Sequence, residues 1–359
     1  MYQIHGKIPM MSKKIKLPKV SIIVLTLNEV GYLEKCLKSV RRQSYPQSKV
    51  EIVVVDNGSV DDSVEVAKSF GAKVFVNKKG DVYRNWAIAL HKVTVDFVYM
   101  IDQDIELRGK NFFQKMLKPM LKNSEVVASF TRKYPRKDQS WVTRFISYHP
   151  AQCDPLYEYL TPAVEESFLG EKPGYTLCKF KLGKVPPFGR MFYRLSYLKQ
   201  TSNWKQKRVF DHGLIVGSIK SGFDLFAYVP QAGLYHHHAR NLSHLLQKRV
   251  RNLQMHYFPE NETSEYRWLD VGNRMDILKI AFWAIYANLF VPALIRGFIR
   301  FLKYKDWVLL MEPLITITTT DVILWHFLKN KVGQDMLKIA FKTLITGSSK
   351  NTTGSFGRQ

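Results

Sequence analysis

The sequence predicts an α/β fold in which a mostly parallel sheet is flanked by helices, followed by a helical C-terminal extension that is apolar and basic. Three observations support this prediction. Segments typical of buried strands alternate with segments typical of helices through the first 130 residues, which is the pattern of βαβ units. Polar residues directly follow several of the strands. Beyond residue 239 the composition changes to basic amphipathic and long apolar segments.

The alternation can be followed from residue 20 onward. Runs of β-branched and aliphatic residues predict strands buried on both faces, and apolar residues at helical spacing predict the helices between them. Residues 134–187 show no sustained period and are predicted to be irregular or to face a substrate, and residues 188–194 are predicted to form a strand or turn. The predicted strands cover 20–27, 51–55, 73–76, 96–101, 126–130 and 224–229, and the predicted helices lie near 33–44, 63–70, 84–91, 110–121 and 209–221.

Two carboxylates stand at the end of the fourth predicted strand. The apolar run 98–101 leads directly into Asp102 and Asp104, and an i, i+2 spacing in an extended chain points both side chains the same way. Such a pair is costly unless a hard divalent cation bridges it, and Mg²⁺ or Mn²⁺ with phosphate oxygens suits it best. A solvated Asp-rich turn is the alternative, and it is the more frequent meaning of an isolated D-x-D. Because Asn28 and Asp56 also follow strands, a parallel topology predicts that these side chains converge at one edge of the sheet.

Charge and cysteine content limit the class of protein. The chain of 359 residues carries a formal net charge of +24, which favours an anionic partner such as nucleic acid, an acidic membrane or phosphorylated small molecules. The cysteines, Cys36, Cys153 and Cys178, lack metal-ligand or C-x-x-C spacing and are expected to be reduced thiols of a cytosolic compartment. Residues 1–19 contain lysines but no apolar core of a signal peptide, so a secretory signal is not expected.

The extension after residue 239 points to a membrane. A basic amphipathic helix is predicted over 244–251, and residues 280–295 form an apolar run bounded by Lys279 and Arg296. A second apolar stretch, 307–328, is interrupted by proline and acidic residues. Because a membrane-spanning helix needs about 20 apolar residues, a short or re-entrant hairpin and interfacial helices both remain open. A soluble helical pair is a third alternative, which the interleaved tryptophans and flanking basic residues disfavour.

Three motifs, in this order and spacing, resemble glycosyltransferase family 2. They are VSIIVLTLNE at 20–29, IVVVDNGSVDDS at 52–63 and DQD at 102–104. The resemblance covers about residues 19–251. It implies a GT-A fold with a Rossmann-like sheet, a nucleoside-diphosphate sugar donor (a UDP- or GDP-sugar), a divalent cation (Mn²⁺ or Mg²⁺) and a single inverting displacement.

The resemblance also implies roles for individual residues. Asp211 matches the general base of the family, although Phe210 stands where a Glu is usual. His236 matches a late third metal ligand, with His238 as the second choice, because three consecutive histidines cannot all face one site. The implied set is Asn28, Glu29, Asp56, Arg84 and Asp102 for the nucleotide sugar, Asp102, Asp104 and His236 for the metal, and Gly189, Arg190 and Arg194 for the acceptor side, where arginines would suit a phosphate.

These observations together predict a metal-dependent inverting glycosyltransferase on the cytoplasmic face of a membrane, with a lipid-linked or glycan acceptor and no nucleic-acid partner. A sugar nucleotidyltransferase is the first alternative, but residues 26–29 lack the Gly-rich phosphate loop that it would need. A non-enzymatic basic protein that binds nucleic acid or membrane is the second, and the sequence shows no zinc ligands, recognition helix or RNP-like strand. The predicted organisation is an N-terminal extension (1–18), a catalytic domain (19–240), a basic helix and linker (241–275), a membrane-associated helical pair (276–330) and a basic helix with a flexible tail (331–359).

Overall fold

The computed structural model describes residues 17–78, 81–149, 155–186, 190–209, 211–254 and 269–346. The strands are β1 (Val20–Thr26), β2 (Val50–Asp56), β3 (Lys73–Val76), β4 (Phe97–Asp102), β5 (Ile105–Leu107), β6 (Ala128–Phe130), β7 (Phe168–Lys172), β8 (Tyr175–Lys179), β9 (Phe192–Arg194), β10 (Leu225–Tyr228) and β11 (Leu234–His236). The helices are α1 (Val30–Arg41), α2 (Ser63–Ser69), α3 (Val82–Lys92), α4 (Phe112–Lys122), α5 (Trp141–Ser147), α6 (Pro155–Leu160), α7 (Leu195–Leu198), α8 (Asp211–Lys220), α9 (Leu242–Asn252), α10 (Arg274–Ala287), α11 (Phe290–Tyr304), α12 (Glu312–Lys329) and α13 (Lys331–Thr346). Cys153, Gly189, Phe210, most of the predicted N-terminal extension and linker, and the predicted tail lie outside the described residues.

A nine-stranded sheet forms the centre of the fold, in the order β3-β2-β1-β4-β9-β6-β10-β8-β7. β1 pairs in parallel with both β2 and β4, and β2 pairs in parallel with β3. β9 and β8 run against their neighbours, whereas β6 and β10 pair in parallel, so seven of the nine strands point the same way. The predicted α/β class, with a mostly parallel sheet and helices at the C-terminus, is confirmed.

Alternate side chains of β1 enter two separate cores, one on each face of the sheet. Ile22 and Val24 pack into a core shared with α1 and α4, and Ile23 and Leu25 pack into a core shared with α3 and α8. Covering both faces explains why β1 is an unbroken apolar run in the sequence. Each fully buried aliphatic side chain stabilises the fold by about 1.5–3 kcal/mol, which fixes the strand ends that carry the polar residues.

A separate two-stranded ribbon lies next to the end of β4. β5 follows Asp102 after a turn of two residues and pairs antiparallel with β11, in a register that sets Ile105 opposite His236. Each strand has only three residues, which is too short for a polar–apolar alternation to be recognised in the sequence. The ribbon therefore brings the histidine run next to the carboxylate pair without any local signal.

Residues 134–187 are more regular than the sequence predicts. They contain α5, α6 and the hairpin of β7 and β8. The two helices have seven and six residues, which is too short to establish a helical period, and β7 is exposed along most of its length. The prediction of an irregular region is therefore wrong for these elements.

The predicted helical pair over 276–330 consists of three helices, α10, α11 and α12. The first apolar run breaks at Asn288 and Leu289, where α10 and α11 are bent from each other by 78°. By length and composition, Trp307–Lys329 could cross a membrane, and the bent pair of α10 and α11 passes the same test when taken together.

α11 presents apolar side chains outward and arginines inward. Ile295, Phe298 and Ile299 are 50–60% exposed. Arg300 and Arg296 point inward and contact the Glu312 carboxylate at 2.9 and 3.3 Å, and this carboxylate is almost fully buried. The arrangement is the reverse of a helix that packs on a water-soluble core with its polar face outward.

α5 connects the C-terminal helices with the segment that follows β11. At its beginning, the Thr143 hydroxyl donates to the Ala239 carbonyl at 2.8 Å and lies 2.9 Å from the Ala239 N–H. In the middle of the helix, Arg144 pairs with Asp306, and just after the helix the Tyr148 hydroxyl donates to the same carboxylate at 3.0 Å. A small apolar core shared by α5, α9 and α12 lies between these contacts.

Candidate active site

Three predicted metal ligands meet at the carboxyl edge of the parallel strands. Asp102, Asp104 and His236 each offer one ligand atom, and these atoms lie within 4.8 Å of one another. The two carboxylates do not follow one another along an extended strand, because β4 ends at Asp102 and a turn contains Asp104. The turn nevertheless leaves both carboxylates near the same imidazole.

Alternation along the histidine run decides which ring reaches the carboxylates. His236 ends β11, and its Nε2 lies 3.3 Å from Asp104 Oδ1. The next ring points elsewhere, with His237 Nε2 2.7 Å from Glu106 Oε1. The centroid of the His238 ring lies 5.0 Å from that of His236. The structure therefore brings the preferred histidine to the pair and places the second choice beside it.

The donor atoms of this cluster suit a divalent cation. Within the described residues, His236 Nδ1 and His238 Nε2 are buried without a hydrogen-bond partner, whereas buried polar atoms are normally paired. Burial raises the pKa of Asp104, but His236, Lys248 and Arg190 outweigh this effect and hold the pKa well below its ordinary value. An ionised carboxylate, a second carboxylate and an imidazole form a donor set that accepts Mn²⁺ or Mg²⁺.

Arg190 joins the carboxylate pair to the candidate base. Its guanidinium forms ion pairs with both Asp102 and Asp211, the latter being the first residue of α8. Burial raises the pKa of Asp211 above its ordinary value; Arg190 opposes this rise, and Asp102 adds to it. Arg190 has φ +65°, a left-handed conformation that costs a non-glycine residue about 1–2 kcal/mol. The residue predicted for the acceptor side therefore lies between the candidate base and a candidate metal ligand.

Two residues predicted to contact the nucleotide shape the loops after β1 and β2, and one of them, Asn28, joins the two loops. The Asp56 carboxylate accepts the N–H groups of Gly58 at 2.8 Å and Ser59 at 3.0 Å, as a turn-forming Asp does. Asn28 has φ +55°, and its Oδ1 accepts the Val60 N–H at 3.0 Å. These bonds build a polar wall at the sheet edge that carries the carboxylate pair.

The remaining residues predicted for the donor are more exposed. Glu29 forms an ion pair with Arg240 at 3.2 Å. The Arg84 side chain is exposed in the first turn of α3, and the backbone N–H of Arg84 donates to the Asp81 carboxylate at 2.9 Å. Neither side chain belongs to the cluster of Asp102, Asp104 and His236.

Arg194 lies at the opposite edge of the sheet. It is in register with Phe97 at the start of β4, five residues before Asp102, which corresponds to about 16 Å along a strand. Its guanidinium donates to the Met120 carbonyl and lies 5.1 Å from the centroid of the Phe97 ring. The prediction that Arg194 lines the acceptor side is wrong, because β9 runs antiparallel to β4 and carries Arg194 away from the edge that Arg190 reaches.

Two further residues near the cluster have no individual signal in the sequence. The Lys248 ammonium, on α9, donates to the His238 carbonyl. Burial lowers its pKa, and Asp104 and Asp102 oppose this shift, so the ammonium lies within electrostatic reach of the pair. Gln103 Oε1 accepts the N–H of the residue after β1 at 3.1 Å and thereby ties the turn between the carboxylates to β1. The basic character of α9 is the only sequence feature that points toward Lys248.

Comparison with known families identifies the family. The profile of Glycosyl transferase family 2 matches residues 21–200, which is half of the chain. The chain belongs to glycosyltransferase family 2. The family resemblance and enzyme class that the three motifs predict are thereby confirmed. The matched range contains the carboxylate pair and Arg190, whereas Asp211 and His236 lie beyond it.

Curated relatives match shorter parts of the glycosyltransferase. Glycosyltransferase AglE of Haloferax volcanii is 50% identical over 54 residues, which is 15% of this chain and 18% of AglE. Glucosyl-3-phosphoglycerate synthase of Petrotoga mobilis is 30% identical over 139 residues, which is 34% of this chain and 42% of the synthase. The chain therefore spans less than half the length of either relative.

Solved structures match over a larger part of the chain. A mannosyltransferase of Pyrobaculum calidifontis, in complex with GDP-Man and Mn²⁺, aligns with 92% of this chain and 88% of its own at 15% identity and a TM-score of 0.43. TarS 1–349 of Staphylococcus aureus, in complex with UDP, aligns with 93% of each chain at 14% identity and a TM-score of 0.44.

Proposed function

We propose that this glycosyltransferase is a metal-dependent, inverting enzyme that moves a sugar from a nucleoside-diphosphate sugar to a membrane-linked acceptor. The observation that carries the proposal is the cluster of Asp102, Asp104 and His236 at the carboxyl edge of the sheet, with Asp211 joined to it through Arg190. Ligands of parallel sheets bind at this edge. A base close to a cation site is what a single displacement requires.

The roles of the residues follow from their charges and positions. Asp102, Asp104 and His236 would hold the cation, which neutralises charge that develops on the leaving diphosphate. Asp211 accepts the proton of the acceptor hydroxyl. Arg190 holds the Asp211 carboxylate in a fixed position toward the donor side. The loops closed by Asn28 and Asp56 form the wall for the nucleotide.

A binding experiment tests the donor and metal roles. Nucleotides and UDP- and GDP-sugars are screened by thermal unfolding with and without Mn²⁺, and the best donor is then assayed for sugar transfer and hydrolysis. A ligand at 100 times its Kd stabilises the folded state by about 2.7 kcal/mol. We expect such a shift with one donor plus Mn²⁺, and we expect Asp104→Asn to abolish it because the cation loses a ligand.

Asp224→Asn is the matched control. Asp224 precedes β10 at the other end of the strands and pairs with Lys179, so this variant should keep the full stabilisation by donor and Mn²⁺. The metal assignment fails if Asp104→Asn gains as much stability from donor and Mn²⁺ as the wild type does.

The acceptor part of the proposal is supported by the C-terminal helices. α11 exposes Ile295, Phe298 and Ile299 while its arginines face inward, and such a contiguous apolar face is typical of a surface that meets a membrane. The net charge of +24 fits an anionic cytoplasmic leaflet. A sugar acceptor anchored in the same membrane would then diffuse to the enzyme in two dimensions.

Vesicle flotation of the full-length protein tests this part. Ile295→Glu with Phe298→Glu should lower partition into vesicles of phosphatidylcholine and phosphatidylglycerol by at least about tenfold, because burying each apolar side chain contributes about 1.5–3 kcal/mol. Leu169→Glu with Leu182→Glu is the control, since both residues are exposed near the β7–β8 hairpin. Equal partition of the α11 variant and the wild type would contradict membrane docking through α11.

A further inference from the structure

The second histidine of the run 236–238 belongs to a buried charged cluster beside the candidate cation site. His237 Nε2 lies 2.7 Å from Glu106 Oε1. Arg136 donates to the same carboxylate through both terminal nitrogens, at 2.7 and 2.9 Å. We call these three residues the Glu106 cluster. The side chains of Glu106 and His237 are each 8% exposed. Burying a charged carboxylate is costly unless it is paired, and the proposed function gives these residues no role.

The Glu106 cluster joins the two strands of the β5–β11 ribbon. Glu106 is the central residue of β5 and lies opposite Tyr235 of β11. A long side chain can also reach the residue two positions along the partner strand, and His237 occupies that diagonal position directly after β11. Each strand has only three residues, and two-stranded ribbons are marginally stable by themselves. The side-chain contacts of Glu106 therefore help to hold the two strands in register.

The register of this ribbon decides where two of the candidate metal ligands lie. Asp104 directly precedes β5 and His236 ends β11, and the His237 N–H donates to the Asp104 carbonyl at 2.9 Å. Neighbouring side chains of an extended chain point to opposite faces. Because His237 faces Glu106, His236 turns the other way, and its Nε2 lies 3.3 Å from Asp104 Oδ1. A slip of one residue would exchange the two rings.

Arg136 links the cluster to a second contact on the histidine segment. Its guanidinium lies 4.6 Å from the centroid of the Tyr235 ring. The backbone N–H of Arg136 donates to Gln139 Oε1 at 2.9 Å, and the side-chain amide of Gln139 donates to the His236 carbonyl at 3.3 Å. The segment that supplies the guanidinium to Glu106 therefore also holds the backbone of a candidate metal ligand.

We propose that the Glu106 cluster is a positioning unit for the cation site. Glu106 and Arg136 fix His237, and this arrangement holds Asp104 and His236 at the spacing that a divalent cation requires. The three residues act through the ligands and do not bind the cation themselves. Loss of partners that orient metal ligands commonly lowers metal affinity by about 10–100-fold. The inference rests on the proposed function and adds to its cation site the residues that shape it.

The test measures binding of Mn²⁺ to the full-length protein by electron paramagnetic resonance, with Mn²⁺ alone and with Mn²⁺ plus UDP or GDP. The decrease of the free-ion signal gives the Kd, and spin-echo modulation from a coordinated imidazole nitrogen reports the histidine ligand. In Glu106→Gln, an amide nitrogen replaces one carboxylate oxygen and has to face an N–H donor of Arg136. We expect the Kd for Mn²⁺ to rise about tenfold and the nitrogen modulation to decrease.

Arg136→Lys is the second variant, and it should fold because the Arg136 side chain is 29% exposed. A lysine keeps the charge but cannot contact both carboxylate oxygens as the planar guanidinium does, so the same two changes are expected. Asp138→Asn is the matched control. Asp138 also pairs with Arg136, at 2.6 Å, but its side chain is 55% exposed and it lies outside both strands of the ribbon. This variant should keep the wild-type Kd and modulation.

Thermal unfolding without metal is measured for every variant, and Arg136→Lys alone decides if Glu106→Gln does not fold. A raised Kd together with decreased nitrogen modulation supports the positioning unit. An unchanged Kd or unchanged modulation in the folded variants, even with lower stability, would overturn it, as would an equal loss in Asp138→Asn. Wild-type protein that binds no Mn²⁺, alone or with nucleotide, would instead refute the cation site of the proposed function, and the inference would fall with it.

Discussion

Arg190 is the residue on which both halves of the candidate site depend. It pairs with Asp102 on the donor side and Asp211 on the base side, and it adopts a left-handed backbone conformation to do so. Its pKa is raised, because the two carboxylates outweigh the burial that would lower it. A permanent positive charge between two carboxylates offsets part of the cost of burying them.

The pH dependence of the reaction should report this charge. A base works only when deprotonated, so kcat/KM is expected to fall as the pH drops through the pKa of Asp211, which burial raises and Arg190 lowers. In Arg190→Gln the opposing charge is gone, the pKa rises further, and the acid limb of the kcat/KM profile should move to higher pH.

Arg194→Gln provides the comparison for this experiment. It removes the same charge at the other edge of the sheet, where Arg194 donates to the Met120 carbonyl. The acid limb should stay in place although thermal stability falls. Equal acid limbs in wild type and Arg190→Gln would show that Arg190 does not act on the base.

The residues of the site differ in how well their positions can be predicted from sequence alone. Asp102 and Asp104 are predictable because they interrupt an apolar strand in a recognisable motif. The contact between Arg190 and Asp211 is not predictable from the sequence, because the two residues meet only through tertiary packing of α8 and the segment before β9. Arg194 is misplaced from the sequence for the same reason, since nothing local shows that β9 runs antiparallel to β4.

At the scale of elements, two glycines mark where the C-terminal helices approach closely. A Cβ at Gly297 of α11 would lie 2.4 Å from the Leu309 carbonyl oxygen, and one at Gly333 of α13 would lie 2.0 Å from the Phe327 carbonyl oxygen. Both neighbours are backbone atoms, which cannot rotate away. The crossing of these helices therefore depends on residues without a side chain.

Gly297→Ala should destabilise the protein by about 1–3 kcal/mol, the usual cost of overpacking. Thermal unfolding of full-length protein in one detergent provides the measurement. Gly31→Ala on α1, where a Cβ meets nothing within 4 Å, is expected to be neutral or to stabilise by up to about 1 kcal/mol. If both variants unfold at the wild-type temperature, the helix crossing tolerates a Cβ at position 297 and does not depend on glycine there.

The elements that sequence predicts best are the long ones with a single environment. β1 and β2 are buried on both faces and produce clear apolar runs, so their positions follow from composition. The β5–β11 ribbon and α5 are too short to repeat any pattern, and their stability comes from contacts with distant segments. These short elements position His236 and attach the C-terminal helices, so the least predictable parts of the fold carry much of the site.

At the scale of the whole molecule, the catalytic part and the C-terminal helices share one core. Val142 and Phe145 of α5 pack with Val308 and Ile315, and Arg144 pairs with Asp306. The predicted boundary at 241–275 therefore separates segments of sequence that remain in contact in the fold.

A protein that ends at residue 254 is expected to be less stable than the full chain. It would lose Asp306, Val308 and Ile315, which leaves the apolar face of α5 in water and Arg144 unpaired. Hydrogen exchange of the α5 amides should accelerate, and binding of a hydrophobic dye should rise. Full-length Asp306→Asn keeps the apolar core and should show a smaller loss, of about 1–3 kcal/mol. Identical exchange rates for α5 in the truncated and full-length proteins would refute a shared core.

The attachment of α5 to two different segments limits how this glycosyltransferase could be recombined with its relatives. Thr143 contacts the residue that follows the histidine run, and Arg144 contacts the C-terminal helices. An exchange of everything after residue 254 would therefore join foreign helices to a native α5 and mismatch their shared surface. The exchangeable unit is discontinuous in sequence, consisting of α5 together with the helices from α10 to α12. Chimeras that transfer this unit should keep the His236 segment in register, whereas a simple C-terminal exchange should disturb it.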